Sequence, residues 1–165
     1  MPVLWADLRK ERALAYVFCV PRTQKIMSNL SRREAREAVL GLLFETEFRA
    51  DESSREIFAI SVEDREIPAD AYVEKAYFAI AEHREEIDTT IGNHAKGWKT
   101  SRLSKLSRSV LRLAVYEMLY ENEIPYSVSI NEAVELTKKY DDEKARPFVN
   151  GVLNSIKNEL EGESK

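Results

Sequence analysis

Residues 125–160 read PYSVSINEAVELTKKYDDEKARPFVNGVLNSIKNEL, two amphipathic segments joined by an acidic hinge. In the first, Ile130, Ala133, Val134, Thr137 and Tyr140 recur at helical spacing on one side. Asn131, Glu132, Glu135, Lys138 and Lys139 occupy the other side. Pro125 blocks continuation from the segment before it. The helix is predicted to begin near Ser127 or Ser129, because Ser129 and Glu132 have capping-box spacing. Asp141 and Asp142 place carboxylates where a helix N-terminus favours them. The second segment then carries Ala145, Phe148, Val149, Val152, Leu153, Ile156 and Leu160 as one stripe.

Working outward, the same periodicity returns. A helix is predicted over about Ser107 to Glu121, apolar at Val110, Leu111, Ala114, Val115, Met118 and Leu119. Ile91 to Thr100 contains Gly92 and Gly97 and reads as a loop or helix junction. Ala71 to Ile87 reads as one helix with Val73, Ala76, Tyr77 and Ile80 inward. Asp51 to Ala69 is polar and broken, with a short helix at Ser54–Ile60. Ser31 to Arg49 opens with a Ser31–Glu34 capping box. Ala35, Ala38, Val39, Leu42 and Leu43 lie on one face of it. Leu40, Phe44 and Phe48 lie on a second, with Arg33 projecting near Phe44. No alternating strand pattern of useful length occurs, so the expected fold is all-α, a compact bundle of about seven helices.

A chain of 165 residues with 44% hydrophobic and 33% charged residues can bury a core without disulfides or metal. The single cysteine, Cys19, excludes an internal disulfide. Residues 1–26 read as an N-terminal extension, non-native or dispensable, with Met27 as the natural start and 27–165 as the helical domain. A short extra helix is the alternative. Arg9 to Val20 has the basic-then-apolar order of a signal peptide, but Pro21-Arg22-Thr23 offers no small-residue cleavage site. The apolar run Ala13 to Val20 is too short to span a bilayer, and a cytoplasmic location is expected.

The search for chemistry finds no glycine-rich phosphate loop, nucleophile elbow or HExxH pattern, and an enzyme is not expected. His83 and His94 lack a second histidine or cysteine at ligand spacing, so neither metal nor cofactor is expected. His83 reads as part of a solvated helix face.

What remains is basic and aromatic. The net charge is −4, yet no acidic residue occurs between Thr89 and Tyr116, where Lys96, Lys99, Arg102, Lys105, Arg108 and Arg112 stand. Only Lys105, Arg108 and Arg112 stay within a ~60° arc, and they form a candidate phosphate-facing or partner-facing surface. A plain exposed face fits them equally. Arg32, Arg33 and Arg36 crowd one turn, and arginine forks suit phosphates while their planes stack on bases. Pairing with Glu34 and Glu37 is the plainer alternative. Phe148 falls at the edge of its stripe beside Lys144 and Arg146, as a stacking platform or as a peripheral core aromatic.

Taken in order, Leu111–Glu117, Ile124-Pro125-Tyr126, Ile130–Leu136, Lys138 and Phe148-Val149-Asn150-Gly151-Val152-Leu153 resemble the NusB family of transcription antitermination factors. Arg32–Glu37 is similar to that family's arginine-rich first helix, and Trp98 with Arg102-Leu103 fits its middle segment. The resemblance implies a non-enzymatic, all-helical protein. It would bind boxA RNA of ribosomal leader transcripts together with NusE, a protein of the small ribosomal subunit, and help RNA polymerase read through terminators. It also implies an RNA surface at Arg32, Arg33, Arg36 and Phe148, with Phe44 nearby and Arg146 supplying charge beside Pro147. Glu34 departs from the family by interrupting the arginine run. The competing function is a helical protein-interaction scaffold, or a homodimer without sequence-specific RNA binding. A NusB-like domain also precedes some ribosomal RNA methyltransferases; the 165 residues leave no room for a methyl-donor domain, and no methyl transfer is expected.

Overall fold

Seven helices make up most of the residues described by the computed structural model, which are 30–65, 70–97 and 103–163. They are α1 (Arg32–Thr46), α2 (Ser54–Arg65), α3 (Ala71–Glu82), α4 (Arg84–His94), α5 (Lys105–Tyr120), α6 (Tyr126–Tyr140) and α7 (Ala145–Glu163). No strand occurs among the described residues. The segment 1–26 and Trp98, Lys99 and Arg102 lie outside them. The chain forms two compact units, one up to Tyr77 and one from Phe78, where a single helical domain is expected from the sequence.

In the first unit, Ser31 caps α1 through the expected capping box. Its hydroxyl accepts from the Glu34 amide at 3.2 Å, and the Glu34 carboxylate accepts from the Ser31 amide at 2.7 Å. The α1 helix buries one broad arc of about 160°, which takes in Ala35, Val39, Leu42, Leu43, Leu40 and Arg36. Phe44 falls beyond the arc, Phe48 lies in the turn after the helix, and both are exposed. Tyr77 seals the unit. Its ring stacks on Phe58 with centroids 6.0 Å apart, and its hydroxyl lies 2.8 Å from that of Thr46. Burial pushes the Tyr77 phenol above its ordinary range.

Helix boundaries here differ from expectation. The α2 helix runs to Arg65 rather than Ile60. The stretch 71–87 is two helices rather than one, because His83 breaks it and becomes the N-cap position of α4. The His83 side chain is partly exposed, as a solvated face implies, and its ring also stacks on Tyr120 at 4.6 Å. Burial, and the Glu86 carboxylate that accepts a hydrogen bond from the Tyr120 hydroxyl, push that phenol up to about 12.

In the second unit α5 is the axis. Ser107 and every residue from Ser109 to Met118 are buried, and α4, α6 and α7 all pack against this helix. Its polar side chains are each met by a partner. Arg112 donates through Nε and Nη2 to the two Asp88 oxygens at 2.7 and 2.8 Å. Ser129 donates to Glu117 at 2.6 Å, so it fastens α6 to α5 instead of capping α6. The α6 helix starts earlier, at Tyr126 after Pro125. Asp141 likewise serves α5 more than α7, accepting from the hydroxyls of Ser104 and Ser107. His94, at the end of α4, reaches α7 through both ring nitrogens, to Ser155 at 2.8 Å and Glu159 at 2.9 Å. Gly97 then turns the chain with φ +88°, a left-handed conformation that glycine adopts at little cost.

The Asp88–Arg112 fork carries a sharp stability test. Asp88→Ala takes both fork oxygens from a buried guanidinium and is expected to cost about 3 kcal/mol in urea unfolding. A loss below ~0.5 kcal/mol would show that water replaces the carboxylate.

Candidate nucleic-acid interface

The arginine turn of α1 divides by direction. On the helical wheel Arg36 lies inside the buried arc with Leu40 and Leu43, and it is only 5% exposed. This corrects its expected place as an open phosphate contact. Arg33 lies outside the arc and is exposed, on the same strip as Phe44, with Phe48 in the turn after the helix. Those two rings meet edge to face at 5.0 Å. Phe44 is 37% exposed and Phe48 61%. The exposure of Phe48 is a tertiary fact that helical spacing does not carry.

Arg32 points the way the core does, but from the first turn, past the end of the core. It remains exposed, and its guanidinium lies over the Tyr72 ring, 4.2 Å from the centroid. Tyr72 has no signal in the sequence as a site residue. Its backbone is set by Asp70, whose carboxylate accepts from the amides of Tyr72 and Val73 at 2.8 and 3.1 Å and so caps α3.

Glu34 interrupts the arginine run in sequence but is drawn away from it in space. Both the Ser31 amide and the Ser31 hydroxyl donate to Glu34 Oε2 at 2.7 Å. The Ser31 side-chain bond, and then its backbone bond, hold the carboxyl below its ordinary value of 4.5. The anion thereby serves the N-terminus of α1, where the helix dipole favours it.

In the second unit, the candidate basic surface on α5 does not form as expected. Lys105 is exposed and Arg108 half-buried, but Arg112 is 4% exposed and forked onto Asp88. Arg112 is therefore a packing cation, because its direction on α5 faces α4. The first turn of α7 carries Arg146, with its side chain 35% exposed and 4.0 Å from Glu143. Phe148 sits at the rim of the α7 stripe by angle but is 5% exposed. Helices α4, α5 and α6 all pack against α7, and the ring belongs to the core rather than standing free as a stacking platform. Among the described residues no cluster of three or more His, Cys, Asp or Glu side chains is arranged to hold a metal.

Comparison with known proteins gives one consistent result. The model of the NusB family matches residues 33–158. A transcription antitermination protein NusB from Bacillus pumilus is 40% identical over 131 residues, covering 79% of this chain and 98% of that protein. The Bacillus subtilis NusB is 39% identical over 132 residues, covering 80% and 98%. Among solved structures, the antitermination factors NusB and NusE in complex with double-stranded RNA provide a chain with TM-score 0.67 and 35% identity, covering 76% of this chain and 94% of that one. The T. maritima NusB has TM-score 0.68 and 38% identity, covering 78% and 92%.

Two outcomes test this geometry. Phe148→Ala is expected to cost about 3–5 kcal/mol of stability, as loss of a core aromatic does. A cost below ~1 kcal/mol, read by urea unfolding, would mark the ring as a surface group. Carbon-detected NMR titration of Glu34 is expected to give a pKa below 4.5 in the folded protein. A depressed folded pKa means that its stabilising contribution is present above the unfolded value and is lost as pH falls through the folded one. Titration at or above the ordinary value would remove the capping box from solution.

Proposed function

The chain belongs to the NusB family, and on that premise we propose that it is a non-enzymatic, RNA-binding transcription antitermination factor. It binds boxA-type RNA of ribosomal leader transcripts together with NusE, and the complex promotes read-through by RNA polymerase in the cytoplasm. The observation that carries this reading is the helical scaffold shared with a NusB solved together with NusE and double-stranded RNA.

The physical features of each unit support the assignment. In the first, Arg33 and Phe44 present a cation and a ring on one exposed strip, and Arg32 adds a second exposed cation. Glu34 is held in the cap by the Ser31 hydroxyl, which fixes where that carboxylate stands relative to the arginines. Such a turn offers charge to phosphates and flat groups to unpaired bases. In the second unit Arg146 is the most accessible member of the proposed surface, while Phe148 contributes its small exposed fraction and shapes the turn that carries Arg146. Arg36 acts from within α1 in the same manner. No helix among the described residues is long and apolar enough to cross a membrane.

Fluorescence anisotropy with a labelled boxA RNA tests the proposal. NusE is expected to tighten binding about tenfold, a coupling of ~1.4 kcal/mol. Arg33→Ala is expected to weaken binding severalfold and to lower the slope of log affinity against log salt by about 1. Affinity indifferent to both NusE and Arg33 would leave a helical scaffold that binds only protein.

A further inference from the structure

The contact between Arg32 and Tyr72 joins two elements distant in sequence. Arg32 stands in the first turn of α1 and Tyr72 in the first turn of α3, and both lie in the first unit. The guanidinium carbon is 4.2 Å from the ring centroid, well within cation–π range. Arg32 is exposed, and Tyr72 is half-buried, so the ring is fixed by the fold while the cation is open to solvent. Among the described residues this guanidinium lies against the Tyr72 ring, and no carboxylate pairs with it. The ring itself is anchored, because Asp70 holds the Tyr72 backbone at the α3 cap.

An arginine side chain on a surface normally samples many rotamers, and ordering it costs about 2 kcal/mol. A ring beneath it settles part of that cost before any ligand arrives. One face of the guanidinium is then covered by Tyr72. Its other face and its N–H edges remain for a nucleobase and a phosphate, which is how arginine reads single-stranded RNA.

We propose that Tyr72 is a positioning residue for RNA binding, holding the Arg32 guanidinium flat so that an unpaired base stacks on its outer face. This rests on the RNA-binding function proposed above. Tyr72 carries no charge and reaches the RNA only through Arg32.

The test uses the full chain and a labelled single-stranded boxA RNA, titrated by anisotropy at several salt concentrations, with circular dichroism confirming the fold. Tyr72→Leu is expected to weaken binding about two- to fivefold, the range of an exposed cation–π contact. Its salt slope is expected to stay unchanged, since no charge is lost. Tyr72→Phe keeps the ring and is expected to restore wild-type affinity. Arg32→Lys keeps the charge but loses the plane, and is expected to match Tyr72→Leu. The double variant Tyr72→Leu/Arg32→Lys is expected to be no worse than either single one. Wild-type affinity in folded Tyr72→Leu, or additive losses in the double variant, would overturn the role of Tyr72 if Arg33→Ala still weakens binding. If the wild-type chain does not bind the RNA, the RNA-binding reading fails and this role fails with it.

Discussion

Everything in the second unit is arranged around the need to bury α5 on nearly all sides. A helix so enclosed must either be wholly apolar or have each polar side chain met by a neighbour, since an unpaired buried group costs ~1–3 kcal/mol and more if charged. The α5 helix takes the second course. Asp88 of α4 meets Arg112, Ser129 of α6 meets Glu117, and Asp141 at the α6 C-cap meets Ser107. Each bond therefore also fixes the position of one surrounding element. Among the described residues no buried side-chain nitrogen or oxygen is left without a hydrogen-bond partner.

This arrangement explains what the sequence did and did not disclose. The apolar stripes of α3, α5 and α7 were legible because periodicity reports direction, and direction decides burial in the middle of a helix. Polar residues misled for the same reason. Ser129 and Glu132 have the spacing of a cap, but Glu117, twelve positions earlier, claims the serine. Arg112 has the spacing of a basic stripe, but Asp88 claims it from another helix. A long-range partner leaves no mark on local spacing. The break at His83 was equally hidden, since no glycine or proline announces it.

The candidate interface was legible in kind more than in membership. Three arginines in one turn do point to phosphate chemistry, yet helix geometry gives them three different fates. Arg33 faces outward, Arg36 faces the core, and Arg32 overhangs the core onto Tyr72. Glu34, which looks in the sequence like a flaw in a positive run, is spent on the helix start. The FVNG resemblance singled out Phe148 for stacking, whereas its burial gives it a packing role first. Of the exposed Phe44–Phe48 pair, the resemblance points to Phe44 alone.

The Asp88–Arg112 fork also dictates an order for sequence drift. Its two ends differ in exposure: the Arg112 side chain is 5% exposed and that of Asp88 39%. A lineage that loses Asp88 first must pass through a form in which a buried guanidinium has lost both oxygens of its fork. A lineage that first replaces Arg112 with an apolar residue leaves a carboxylate that water can solvate. The two positions can diverge by single steps in one direction far more readily than in the other. The more exposed partner is thus the less free to change.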